Sequence, residues 1–290
     1  MKILAGITLF NPDLVRLKEN LRAIAPQVDA VICFDNGSRN SAEVREMIRS
    51  EEKAVLIEGS QNFGVAYALN RIFESAEAYH AEWVITLDQD SVCPSDLVSR
   101  YLKALEDLND DRIAVLCPVT RDRNFEREQE IHGEYEQVKD CITSASFNRV
   151  SAWKAVGGFY EPLFIDFVDY DFCAKLVEHG FTLYRVNRAF ILHEIGHGEN
   201  HRLFGREVTA LNHSAERKYY MVRNHIYYMN LHRDVVNYTY ERNKCIFLFI
   251  KTILFEQDRR IKLSAMFRGL HDGKEMVRQR KRNLKDHYGN

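Results

Sequence analysis

The stretch Trp83-Val84-Ile85-Thr86-Leu87-Asp88-Gln89-Asp90-Ser91 decides the reading of the chain. Apolar β-formers run without a break and then stop at an acidic turn. A short, continuously apolar run of this kind marks a strand buried on both faces, as in parallel sheets. The pattern recurs on either side. Residues 3–10 predict a first strand ending in Thr8 to Asn11, and 30–34 a second ending at Asp35-Asn36-Gly37-Ser38. Residues 54–58 and 113–119 predict two more. Helical spacing fills the gaps. Leu14, Leu17, Leu21 and Ile24 recur at helical intervals after Asn11-Pro12, which reads as a helix start. Residues 41–49 predict a short helix, with Asn40 and Glu43 placed like a capping box; 64–78 and 95–108 complete the set. Strand–helix repeated four times predicts an α/β fold, a mostly parallel sheet flanked by helices on both faces. In such folds ligands sit at the carboxyl ends of the strands, where Thr8–Asn11, Asp35–Ser38 and Asp88–Ser91 all fall.

Past residue 120 the pattern changes. Residues 121–139 are polar and predict a surface loop or hairpin, and 141–148 a strand. A Gly157-Gly158 turn leads to a helix over 168–179 and broken strands over 182–192. From about 215 the chain is helical and rich in Tyr, Arg and His, and from 257 it is strongly basic.

Composition narrows the classes. With 46% apolar residues the chain is globular, and a net charge of −2 argues against a nucleic-acid binder. No apolar run is long enough to span a bilayer. The residues Met1 to Ile7 read as a core strand rather than a leader. Six scattered cysteines read as reduced core residues of a cytoplasmic protein.

Five motifs carry chemistry. Asp88 and Asp90, just past a strand, can hold a hard divalent ion and the phosphates it bridges; alone, such a pair is as readily a solvated turn. Asp35 can aim a carboxylate at a base N–H, or simply close a turn before a helix. Gly64 and Ala66, opening a helix after Asn62, let a phosphate or ribose come close to the backbone, or let the helix pack on the sheet. Asp166, Asp169 and Asp171 follow Gly157-Gly158-Phe159. Three carboxylates in six residues are costly unless a metal, a cation or a proton is shared, and one of them would serve as general base. His193-Glu194-Ile195-Gly196-His197 suits a loop at a strand end, where a His could complete a metal site or bond to backbone.

Taken in order, these motifs resemble a family 2 inverting glycosyltransferase of GT-A fold over roughly residues 3–230. They run Thr-x-x-Asn, Asp-Asn-Gly-Ser, Asn-x-Gly-x-Ala-x-Ala-x-Asn, Asp-x-Asp, then Gly-Gly-Phe before the acidic segment. Leu87-Asp88-Gln89-Asp90-Ser91, Phe164-Ile165-Asp166-Phe167-Val168-Asp169 and Arg217-x-Tyr219-Tyr220-x-x-Arg223-Asn224 resemble the bacterial rhamnosyltransferase branch. The resemblance implies a catalytic domain over 1–215 and a basic helical extension over 216–290. It implies that Thr8, Asn11 and Asp35 line the nucleobase pocket, that Asn62 and Gly64 lie along ribose and diphosphate, and that Asp88 and Asp90, with His193, hold Mg²⁺ or Mn²⁺. Asp169 would be the catalytic carboxylate, and Arg223 and Asn224 would touch donor phosphates or the acceptor. Two positions depart from the family: Val168 stands where Glu is common before Asp169, and Lys175 where Arg is usual. Lysine keeps the charge but loses the bidentate fork.

The implied donor is dTDP-rhamnose or a UDP-sugar, and the implied acceptor a saccharide, lipid-linked in this branch. A non-catalytic sugar-nucleotide-binding scaffold is the alternative from another class; retention of Asp88, Asp90 and Asp169 argues against it. A nucleotidyltransferase would need a Gly-rich loop after the first strand, which Thr8-Leu9-Phe10-Asn11-Pro12 is not. Residues 245–255 are apolar around Lys251 and the following tail is basic. That suits either attachment to an anionic membrane face or a buried helical or dimer contact.

Overall fold

The computed structural model describes residues 1–122, 133–193, 199–203 and 206–288; at 121–122, 192–193, 199–203, 206–207 and 284–288 only the backbone course is described. The chain divides into two compact units, Met1–Phe164 with Val168–Glu194, and Ile165–Phe167 with Ile195–Asn290.

The first unit is built on β1 (Ile3–Leu9), β2 (Ala30–Asp35), β3 (Ala54–Glu58), β4 (Trp83–Asp88), β5 (Ile113–Asp122), β6 (Tyr135–Val138), β7 (Ser146–Arg149) and β8 (Thr182–His193). They form one eight-stranded sheet in the order β3-β2-β1-β4-β7-β5-β8-β6. The first four are mutually parallel. β7 runs antiparallel between β4 and β5, and β6 antiparallel on the far edge. Between the strands run α1 (Leu14–Ile24), α2 (Ser41–Arg49), α3 (Val65–Ala78), α4 (Leu97–Leu108), α5 (Val150–Ala155) and α6 (Val168–Glu178).

β1 shows why the sheet is covered on both sides. Ile3, Ala5, Ile7 and Leu9 share a core with Leu17, Leu21 and Ile24 of α1 and Val44 and Ile48 of α2. On the opposite side Gly6 leaves room for α3: a Cβ there would lie 2.3 Å from Cγ2 of Ile72. A strand buried on both faces needs no polar alternation, which accounts for its unbroken apolar reading.

Several expectations change in detail. The cap of α1 is Asp13, whose carboxylate accepts from the Val15 and Arg16 amides, rather than Asn11. Asn11 sits two residues earlier at φ 49, its side chain accepting from the Arg39 amide at 2.8 Å. Asn40 does stand at the N-cap of α2, but its side chain makes no capping bond and donates instead to the Pro12 carbonyl. The 141–148 strand shortens to Ser146–Arg149. The broken strands over 182–192 are one strand, Thr182–His193, bulged where its pairing jumps from Val186 to Phe190. All six cysteines are free.

The second unit holds a hairpin, β9 (Glu199–Leu203) and β10 (Arg206–Ala210), and helices α7 (Ala215–Leu231), α8 (Tyr238–Phe255) and α9 (Arg259–Tyr288). Gly269 and Gly273 let α9 press onto α7, where Cβ atoms would meet the Tyr219 and Arg223 carbonyls at 2.5 Å. Buried Glu256 pairs with both Lys218 and Lys262. Burial alone would raise its pKa, but the two ammonium groups outweigh that and leave it lowered. Among the described residues no helix is long and apolar enough to cross a membrane.

Candidate active site

The parallel register brings the polar strand ends together. Thr8 lies beside Asp88, and Leu9 beside Asp35, all at the carboxyl edge. The loops beyond are fixed by side-chain bonds. Phe10 N–H donates to Gln89 Oε1 at 2.9 Å, joining the turns after β1 and β4. Asn11 N–H donates to Ser38 Oγ at 2.8 Å, joining those after β1 and β2. Asn20 donates to the Asp88 carbonyl at 2.7 Å and holds that turn from α1. Asp35 is buried, and its carboxylate accepts from the Ser38 amide at 3.0 Å.

Asn36, which the motif reading passed over, organises the neighbouring loop. Its amide donates to Asn62 Oδ1 and the Gly64 carbonyl, and its own Oδ1 accepts from Phe63 N–H at 2.8 Å. Asn62 Oδ1 also accepts from Gly64 N–H. Gly64, at φ 92, leaves room for protein: a Cβ would stand 2.6 Å from the Phe164 carbonyl oxygen, which accepts from Val65 N–H. Asn70, at the end of the same motif, clamps Phe159, donating to its carbonyl and accepting from its amide, each at 2.9 Å.

The three clustered carboxylates meet three different fates. Asp166, in the second unit, receives a bidentate fork from Arg217, with Nε at 2.6 Å and Nη2 at 2.8 Å. Asp171 is fully buried on α6 and pairs with Lys175 one turn on, at 3.3 Å. Asp169, in the first turn of α6, receives an amide bond from Tyr170 at 3.0 Å, while loss of surrounding water and the charges of Cys141 and Asp88 push its pKa up to about 7. One carboxylate thus faces a guanidinium, one an ammonium, and the third has its pKa raised towards neutrality. A carboxyl poised near neutrality and half-open to solvent is suited to proton transfer.

Lys175 also donates to the Gly158 carbonyl and is buried. In the second unit Asn224 is buried and donates to the Ile165 and Asp166 carbonyls at 2.7 and 2.9 Å, fixing the backbone of the acidic segment. Arg223 stacks over Tyr220 at 4.8 Å and donates to Asn224. His193 closes β8 opposite Asp122; its side chain and the residues 194–198, His197 included, lie outside the described set.

Among the described residues no three His, Cys, Asp or Glu side chains form a metal-holding group. Asp88 is half-buried and Asp90 exposed at the sheet edge. Carboxylates at one sheet edge are hard oxygen donors, of the kind that would suit Mg²⁺ or Mn²⁺.

This mixed sheet flanked by helices, with the polar strand ends gathered at its carboxyl edge, is the architecture of the GT-A fold. The family profile of glycosyl transferase family 2 matches residues 7–159, and the chain belongs to that family. It is similar to the dTDP-rhamnosyl transferase RfbF of Shigella flexneri, 27% identical over 278 residues that make up 91% of each chain. It is 26% identical over 196 residues to a chondroitin synthase of Pasteurella multocida, covering 64% of this chain and 19% of that one. Among solved structures it resembles residues 1–349 of S. aureus TarS in complex with UDP-GlcNAc, with TM-score 0.59 and 15% identity over 96% of this chain and 83% of that one. It also resembles the mannosyltransferase PcManGT from Pyrobaculum calidifontis in complex with GDP-Man and Mn²⁺, with TM-score 0.57 and 13% identity over 98% and 87%. At such identities these likenesses speak for the GT-A fold.

Proposed function

We propose that this glycosyltransferase moves L-rhamnose from dTDP-rhamnose, with inversion, to a saccharide acceptor carried on a lipid, in the cytoplasm at the inner membrane face, for a bacterial surface polysaccharide. The rhamnosyl assignment is supported by the similarity to the Shigella flexneri enzyme, which extends over 91% of both chains. The single observation that carries the chemistry is Asp169, in the first turn of α6, which forms no ion pair among the described residues and whose pKa burial pushes up to about 7.

In this reading the Asp169 carboxylate accepts the proton of an acceptor hydroxyl. That oxygen bonds to the anomeric carbon from the face opposite the leaving group. The bond from that carbon to the diphosphate oxygen breaks, and the nucleoside diphosphate departs with the electron pair. Thr8, Asn11 and Asp35 border the nucleobase, and Asn62 and Gly64 the ribose and diphosphate. Asp88 and Asp90, with His193, would hold the divalent ion, which when bound supplies a Lewis acid for the departing diphosphate. Arg223 and Asn224 serve donor phosphates or the acceptor, Asn224 by holding the acidic segment's backbone. The first unit is then the transferase domain and the second its extension.

A panel of dTDP-rhamnose, UDP-glucose, UDP-GlcNAc and GDP-mannose, scored for thermal stabilisation and donor hydrolysis with Mg²⁺ or Mn²⁺, tests the assignment. Selective stabilisation and turnover with dTDP-rhamnose is the expected result. Preference for a UDP-sugar would replace the rhamnosyl assignment, and binding without turnover on any acceptor would favour a scaffold.

A further inference from the structure

The helix α8 turns an apolar face outward. Ile246, Phe247, Ile250, Ile253 and Leu254 are each between 40% and 50% exposed. At about 100° per residue they form one stripe roughly 120° wide. The opposite side, with Glu241, Cys245 and Thr252, is buried in the second unit, so α8 is anchored and its outer stripe is a surface of the folded protein. Beside it lies a groove of about 620 Å³ with a floor that includes Ile226, Met229, Phe249, Phe267 and Val277 and with Arg242, Lys274 and Arg278 in its lining. Phe267 is itself 60% exposed. A contiguous apolar surface of this kind marks an interaction site.

Charge selects the occupant. Residues 242–283 hold twelve Lys and Arg against four Asp and Glu; setting aside Lys262 and Glu256, which are buried against each other, eleven cations face three anions. Exposed Arg242 and Lys244 stand before the stripe, and exposed Arg259 and Arg260 after it. A second copy of the chain would meet this surface like against like, because a two-fold interface is isologous, and would crowd the cations together. An anionic bilayer would neutralise them while taking the apolar stripe into its interface. The stripe occupies one face only and no described helix can cross a membrane, so the geometry is that of a helix lying in the membrane plane.

We propose that the outer face of α8 seats the protein on an anionic phospholipid surface, with Ile246, Phe247, Ile250, Ile253 and Leu254 in the headgroup–acyl boundary and the flanking arginines and lysines on the lipid phosphates. The groove beside Phe267 then offers room for an acyl chain. This rests on the proposed location at the membrane face and names the surface that would provide it; flotation is measured without any sugar nucleotide, so its failure leaves the transfer reaction itself untouched.

The test is flotation of the full chain with phosphatidylcholine vesicles, with and without about one-third phosphatidylglycerol, at low and high salt. The chain is expected to float with the anionic vesicles, at least about tenfold less with phosphatidylcholine alone, and less at high salt. Ile250→Glu with Ile253→Glu should remove flotation, with circular dichroism and melting unchanged because both positions are exposed. Arg259→Glu with Arg260→Glu should weaken it and flatten its salt dependence. Absence of flotation at low salt, or undiminished flotation of the Ile250→Glu/Ile253→Glu protein, would overturn the proposal. So would light scattering showing a dimer that this double variant splits while leaving flotation intact, since the face would then belong to a second copy.

Discussion

Arg217 grips Asp166 with two parallel hydrogen bonds, 2.6 Å from Nε and 2.8 Å from Nη2. Asp166 lies three residues upstream of Asp169, and the fork engages both of its carboxylate oxygens, whereas Asp169 receives only a backbone amide bond from Tyr170 among the bonds described. The first prediction follows from that division. Asp169→Asn should lower turnover on the order of 10²-fold or more and leave donor affinity within a few-fold, read from kcat against KM and from donor binding. Asp166→Asn should retain turnover better than Asp169→Asn. The reverse ranking would assign the base to the wrong carboxylate.

The rate should depend on pH through Asp169. Its carboxyl has a pKa raised to about 7, by lost water first and then by the charges of Cys141 and Asp88. A base must be ionised, so kcat/KM should climb as pH rises towards about 7 and level above it. A rate already flat from pH 5 upward would contradict the raised value.

Stability should show the same group with the opposite sign. The folded state holds the Asp169 proton more tightly than the unfolded chain does, so its contribution is present at low pH and is lost as pH rises from about 4 to about 7. Asp169→Asn removes this titration. Compared with the parent, the variant should gain in relative melting temperature between pH 5 and pH 8. An equal difference at both values would locate the titration elsewhere.

Asp90 is exposed beyond β4, away from the core. Asp90→Ala should lose most activity and keep its melting temperature, and chelation of divalent ions should do the same to the parent. Full turnover in chelator would end the metal role.

Gly64→Ala should be costly. The φ of 92 already disfavours a side chain, and the new methyl would press on the Phe164 backbone at 2.6 Å. A loss of more than about 2 kcal/mol in urea unfolding is expected. A neutral substitution would show that the Phe164 loop yields freely.

Much of the framework was legible because it is written locally. α2, β3 and β4 begin and end where periodicity places them. The polar strand ends fall at one edge because parallel strands in register must end together. Capping was less legible: Asn11 and Asp13 both have capping side chains, and the choice fell to Asp13 because Ser38 and Arg39, from the next strand's loop, engage Asn11. β8 read as broken strands because its bulge, set by pairing with β5, interrupts the apolar alternation.

The sequence by itself determined the alternation of strand and helix, the apolar runs that bury β1 and β4, and the crowding of Asp166, Asp169 and Asp171 into six residues. The helix itself sets Asp171 one turn from Lys175, but only the tertiary structure decided what Asp166 and Asp169 became. Asp166 took its cation from Arg217, 51 residues on, and Asp171 from the lysine one turn along its own helix. Asp169 had its pKa pushed up to about 7 because protein displaced its water while Cys141 and Asp88 brought negative charge. Periodicity is a property of neighbours in the chain, whereas proton affinity depends on solvent exclusion and on charges brought together by folding. Three aspartates alike in sequence therefore came to rest in three different surroundings.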